Sequence, residues 1–454
     1  RPSDRTSHRL TSDKFLIRME FDPDKVMGCF LGMAVGDAMG RSVNGLKPEA
    51  IGQIFGAVED YKDVKKVVGK GIKRYRMKGL YGAPTQFALA VCDGVLINKK
   101  KFLEETSQNI QSLSKGGPEN HFGVFRSSES CLWKAVALLE DQPIAEPTPQ
   151  SSATALFTSL SVPLALFHKK WSKTLATQCL DLAQIFSSHP QEVVATVLNG
   201  FLVTRFLNLQ EGELISQGKE ILQEAAEICT QAEREYQGRI NVFEDDSIAK
   251  SKNAFSRTLE GLILQLGKSE KEALQWIVDN ASAYTKREIR HASQGFVLTL
   301  MPLALHWMLN QENSFLLASI FKQGRETEKL GALTGAWSGA VHGAQVIPEN
   351  LKTGLVNSRE IRLRGEALFQ RRMKKEMKPL ADMETALTAK ESEEAKRYQP
   401  KEIKKILKPI AIDFWEDEED IVPSKEDRAQ WRKFQKEKTK SKRDRRKHLL
   451  DDIV

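Results

Sequence analysis

Apolar residues recur every three to four positions along most of the chain, and the two-residue alternation of strands is nearly absent, so the pattern predicts an all-α fold. From Lys25 the stretch GCFLGMAVGDAMG reads as a helix with glycine at 28, 32, 36 and 40, a spacing that lets another backbone approach closely. YGAPTQFALAVCDGVLI opens on Gly82-Ala83-Pro84 and continues as a helix, with Pro84 in the first turn, where proline is tolerated. FRSSESCLWKAVALL and SSHPQEVVATVLNGFLVTRFL read as loops opening into helices, the second with Ser188 as candidate cap, Pro190 early in the helix and His189 as a loop or capping residue. Residues 211–290 keep a period near 3.6. QGFVLTLMPLALHWML is apolar nearly all round and predicts a central buried helix. A short loop, Gln311–Asn313, and a helix over Ser314–Lys322 lead from it to GRETEKLGALTGAWSGAVHG, which repeats the four-residue glycine spacing at 331, 335, 339 and 343.

Two stretches depart from this pattern. Residues 59–79 hold eight Lys or Arg against three acids, with valine, isoleucine and tyrosine alternating around Gly69-Lys70-Gly71. They predict a basic hairpin whose Lys70, Lys73, Arg74 and Arg76 could meet a phosphate backbone. After Arg372 the chain is dominated by charged residues, with FWEDEED acidic and KFQKEKTKSKRDRRKH basic. Such a segment has too little apolar surface to offset the entropy of ordering, so it reads as a charged tail. Within it Pro423–Asp427 gives a capping-box start for a charged helix, with Trp431 and Phe434 as anchors and Arg443, Arg445 and Arg446 as further partner contacts. The organisation expected is an N-terminal extension over 1–24, a helical body over 25–372 and a charged C-terminal extension over 373–454.

Composition adds limits. The 454 residues are 41% hydrophobic, enough for a large core, and the net charge of +8 allows contact with an acidic surface without requiring it. Cys29, Cys92, Cys131, Cys179 and Cys229 lie far apart with no CxxC pair, so they read as core residues of a reducing compartment rather than a zinc site or disulfide framework. No apolar run reaches the roughly 18 residues of a membrane span. The opening RPSDRTSHRL lacks Met and is rich in Arg and Ser, as is the end left by removal of an organellar transit peptide. The mitochondrial matrix is therefore the favoured location, with the cytoplasm as alternative.

The candidate chemistry lies at the helix starts. Glu326 and Glu328 stand one residue apart before a glycine-rich helix, as a hard cation would want, yet Lys329 follows directly and its ammonium can neutralise them without a metal. Asp37, a lone charge in an apolar helix, must face something polar.

Taken in order, GCFLGMAVGDAMG, the helix start after Tyr81, SSESCLWKAVAL, SSHPQEVVATVL and QGFVLTLMPLAL…GRETEKLGALTGAWSGAVHG…IPENL resemble the ADP-ribosylglycohydrolase family. The resemblance runs from about Lys25 to Arg372 and implies a compact multi-helix hydrolase that removes ADP-ribose from proteins. It also implies two magnesium ions, held by Thr-Asp-Asp at one helix start and Asp-Thr-Asp-Thr at another, with a Glu after GDxxG orienting the attack. Carried over, the first cluster falls on Gly82, Ala83 and Pro84, which have no side-chain oxygen, and the orienting Glu falls on Asn44. The second falls on Glu326, Thr327, Glu328 and Lys329, where the last hydroxyl has become a cation. The glycine-rich loop that approaches substrate in relatives falls on Ser128, Glu129, Ser130 and Cys131, leaving Asp37 as the main retained acid.

A binuclear magnesium centre needs oxygen ligands from both sides, so no metal, no other cofactor and no catalytic residue is expected. Lys329 is expected to pair with Glu326 or Glu328. The reading favoured is a catalytically inactive family member retained as a structural subunit. Its basic hairpin and C-terminal extension would dock onto a large protein or RNA–protein assembly, an organellar ribosome or another ribonucleoprotein. Two alternatives stay open: a non-catalytic binder of a nucleotide or ADP-ribose, and a hydrolase with altered metal use through Glu326 and Glu328.

Overall fold

The computed structural model describes residues 21–69, 72, 74–118, 121–127, 129–141, 147–148, 151–210, 212–239, 252–310, 315, 317–398 and 433. Among them the fold is all-α, with no strand. Its axis is a pair of antiparallel helices, Pro23–Val43 and Thr327–His342, crossing through their glycines. Gly28 meets Gly339 and Gly343, Gly32 meets Gly335, and Gly36 meets Gly331. A Cβ built on Gly36 would lie 1.9 Å from the Gly331 carbonyl oxygen, so the two backbones touch where any side chain would hold them apart.

Around this pair pack the helices Ala83–Ile97, Ser161–His168, Pro190–Leu207 and Val297–Leu309. The last is buried at every residue, as its all-round apolar pattern predicts. Helix Pro190–Leu207 starts on His189, not Ser188: the His189 ring nitrogen Nδ1 accepts from Gln191 N at 3.3 Å. Of the helix expected over 314–322, the described residues show one turn, Ala318–Phe321, while the loop expected over 311–313 and residues 314 and 316 lie outside the described ones. All five cysteines are buried and free, and no described helix is long and apolar enough to cross a membrane.

Two expectations are corrected. Among its described residues the basic stretch 59–79 shows no paired strands of a hairpin, only one isolated bridge between Val68 and Ile72; residues 70, 71 and 73 lie outside them. Its tyrosines turn inward, with Tyr61 donating to Leu351 O at 2.8 Å and Tyr75 to Glu394 Oε2 at 2.5 Å, so they leave no aromatic face for a partner. Nor does the packed body end at Arg372. Helix Leu380–Arg397 lies on it with Leu380, Met383, Glu384, Thr388 and Glu391 buried. Trp431, Phe434, Arg443, Arg445, Arg446, Lys70, Lys73 and Ser128 lie outside the described residues, as does the helix expected after Pro423 apart from Lys433, which is helical.

Candidate functional site

The crossing of the two glycine-rich helices brings a third helix start against it. Asp37, two-thirds of the way along helix Pro23–Val43, accepts from Gly82 N at 2.7 Å, Thr85 N at 3.0 Å and Thr85 Oγ1 at 2.5 Å. It therefore serves as the cap of helix Ala83–Ile97, whose own preceding residue, Gly82, has no side chain to do so. This is the polar neighbour that a lone acid in an apolar helix requires.

Asn44, at the end of the same helix, does the equivalent for the other start: its Oδ1 accepts from Glu328 N at 3.2 Å. Thr327 turns its hydroxyl to Gly40 O at 2.7 Å, spending it on the helix crossing. Ala83 and Pro84 are buried in the first turn of their helix, and Ser159 donates to the Pro84 carbonyl at 2.9 Å.

The two glutamates of the second cluster point to different neighbours. Glu328 lies against Gly82, where a built Cβ would come within 1.7 Å of its Oε1. That oxygen is buried without a hydrogen-bond partner. Burial, and after it the charge of Asp37, push the Glu328 carboxyl up to about 8, while Arg41 and Arg76 pull the other way. Asp37 rises to about 6 for the same first reason, against the three bonds it accepts.

Glu326 instead joins Lys329, whose Nζ lies 2.9 Å from Glu326 Oε2 and 3.0 Å from Glu129 Oε1 and donates to Thr154 O at 2.8 Å. The expected pairing of Lys329 is thus made with Glu326. Its second partner, Glu129, is the residue just before helix Ser130–Asp141. Burial opposes the ammonium charge, but the two carboxylates hold the Lys329 pKa above its ordinary value.

Two further cations of the site, Arg41 and Arg126, were not read from the sequence, and a third, Arg76, was read in another role. Arg41 forms a two-point pair with Glu391 of helix Leu380–Arg397, at 2.7 and 2.6 Å. Burial alone would lower its pKa; Glu391 more than offsets this. Arg76, named above as a surface contact of the basic stretch, is instead turned inward and donates to Arg41 O at 2.6 Å and Asn44 O at 2.9 Å. Burial, then the neighbouring Arg41, lower it to about 10. Arg126 pairs with Glu384 at 2.7 Å with both side chains fully buried. A clue was available for Arg41 alone, which follows Asp37 by one helical turn. Glu384 and Glu391 lie about 260 and 350 residues from their partners and gave none.

Beside Lys329 opens a cavity of about 670 Å³, walled by Glu129, Trp133, Arg287, Phe296, Glu326 and Lys329. Among the described residues no group of three or more His, Cys, Asp or Glu is arranged to share a metal ion.

The chain belongs to the ADP-ribosylglycohydrolase family, whose model matches residues 19–378. Among solved structures 42 chains match. One, described as an ADP-ribosylglycohydrolase-related protein complex, is 17% identical with a TM-score of 0.52, covering 77% of this chain and 99% of its own. At that identity the likeness concerns the fold. No curated protein sequence matches.

Proposed function

We propose that this chain is a non-hydrolysing member of its family, in which the protein's own cations have taken over the charges that metal ions would balance, and that it acts as a docking subunit of a larger assembly. The observation that carries the first part is Lys329, whose ammonium sits within 3.0 Å of both Glu129 and Glu326. With Arg41 and Arg76 beside Glu328, every carboxylate of the second cluster has a permanent cation near it. At the facing helix start Gly82, Ala83 and Pro84 offer no side-chain oxygen, and Asp37 is committed to capping. These residues do not suit a pair of magnesium ions, which need oxygen ligands from both sides.

The docking part draws on charge outside the cleft. Lys66, Arg74 and Lys78 are exposed, and the sequence beyond 398 concentrates Lys and Arg near its end. Neutralising phosphates with such residues gives binding that weakens steeply with salt, by roughly 0.9 in log–log slope per phosphate on duplex and about 0.7 on single strands. A ribonucleoprotein, an organellar ribosome in the mitochondrial matrix foremost, is the partner this chemistry suits. The test is co-sedimentation with purified mitochondrial ribosomes. The full chain is compared with a Lys66→Ser, Arg74→Ser, Lys78→Ser variant and with an Arg443→Ser, Arg445→Ser, Arg446→Ser variant. Weaker co-sedimentation of the variants with a shallower salt slope supports docking; equal co-sedimentation of all three folded chains refutes it.

One observation favours a second reading, a non-catalytic nucleotide or ADP-ribose binder: the cavity beside Lys329 is open and carries Trp133 and Phe296 with the hydroxyls of Ser130, Ser151 and Thr285. Saturable quenching of tryptophan fluorescence by ADP-ribose, lost in Trp133→Leu, would favour it over docking.

A further inference from the structure

Helix Leu380–Arg397 begins beyond the part of the chain that the family model matches, yet its buried face meets the walls of the old site. That face is unusual. Glu384, Thr388, Glu391 and Glu394 fall at spacings of four, three and three residues, one side of a helix, and they present acceptors. The groove beneath presents donors. Tyr81 and Gln86 donate to Glu384 at 2.6 and 2.7 Å, and Arg126 pairs with it at 2.7 Å. Arg126 also donates to Thr388 Oγ1 at 2.8 Å. Arg41 and the Met77 amide hold Glu391, and Tyr75 holds Glu394.

Arg126 is the link to the cavity. Its backbone N donates to Gln86 Oε1 at 2.9 Å and its Nε to Tyr81 O at 2.7 Å, so its position is fixed by the same side chains that grip Glu384. Three residues on, Glu129 forms the cavity wall and pairs with Lys329. Without Glu384, Arg126 would be a buried guanidinium that has lost its contacting counter-ion and keeps only the more distant charge of Glu391, so it must move toward water and carry the wall with it.

We propose that helix Leu380–Arg397 is a strap whose seating, through Arg126, sets the position of the cavity wall at Glu129, Ser130 and Cys131, so that a pull or a partner at the end of this helix is felt in the cavity. Apart from Leu380 and Met383, its buried anchors are polar, and such groups recover hydrogen bonds to water when they leave. The strap can therefore release more readily than an apolar helix of equal length. The coupling holds whether or not the extension beyond Arg397 meets a ribonucleoprotein, since its members all lie in the folded body.

Hydrogen–deuterium exchange on the full chain tests this. In Glu384→Gln, exchange should rise about ten-fold or more in peptides covering both 380–397 and 126–131, while the central helix 297–309 stays unchanged. Thr388→Val, which leaves no charge unpaired, should give the same pattern more weakly. Glu393→Gln, an exposed residue of the same helix whose ion pair among the described residues is with Arg397, should change neither segment. A loosened 380–397 with an unaltered 126–131 overturns the coupling. So does a parallel rise in 297–309 in both Glu384→Gln and Thr388→Val, which would make the helix an integral part of one cooperative unit.

Discussion

Replacing Lys329 by Met keeps the aliphatic stem and removes the ammonium, which isolates what the charge contributes. At 3 Å and an effective dielectric of about 20, each contact with Glu129 and Glu326 is worth about 5 kcal/mol of gross attraction, most of it offset by the cost of burying the ions. The variant loses that attraction and keeps two carboxylates that share one neighbour. Their contacting oxygens can be no farther apart than the two contacts laid end to end, about 6 Å, where repulsion at the same dielectric is about 3 kcal/mol. Breaking a buried pair costs about 3–5 kcal/mol, so a loss near 4 kcal/mol at pH 8 is expected. Urea unfolding followed by circular dichroism should show the midpoint falling by about 1 M, for a slope at or above the ~3 kcal/mol/M of small domains. The sign with pH follows from linkage. Burial already raises Glu129, and losing the ammonium raises it further, so the folded variant keeps a proton that the unfolded chain has released. Stability of the variant relative to wild type should therefore recover by about half as pH falls from 8 to 5. An unchanged midpoint at pH 8, or the same deficit at both pH values, would refute the reasoning.

Glu328→Gln should be more stable than wild type at pH 9 and lose that advantage progressively on acidification from about 8, the folded value, to the unfolded 4.5, since above 4.5 the unfolded chain gains an ionisation that the buried carboxyl resists; urea midpoints across pH 5–9 check this. Gly82→Thr should destabilise, because the built Cβ lies 1.7 Å from Glu328 Oε1 and the buried carboxylate must swing aside, and Glu328→Asp should restore part of the loss. A double-mutant cycle with a coupling of about 1–3 kcal/mol is expected, and strict additivity would sink the steric account.

How far the sequence reached depends on how local each signal is. The glycine crossing was legible because a four-residue glycine spacing has one use at a helix interface, and both partners carried it. Lys329 was legible because its charge sits beside the carboxylates it neutralises. Arg41 and Arg76 were missed for the opposite reason: an arginine that ends a helix, or lies in a basic stretch, looks solvated until the fold folds it inward. The alternation of 59–79 failed as a strand signal because Tyr61 and Tyr75 are placed by hydrogen bonds to Leu351 and Glu394, about 290 and 320 residues away. The same distance hid helix Leu380–Arg397. Its acidic face reads as solvated wherever the matching donors cannot be seen, and those donors are assembled only by tertiary packing.

Titration calorimetry of the full chain with manganese, and separately with magnesium, at pH 7.5 addresses the exchange of metal for internal cations most directly. No saturable heat up to millimolar ion is the expected result, for wild type and for Glu328→Gln alike. Stoichiometric binding with micromolar affinity that disappears in Glu328→Gln would contradict the account.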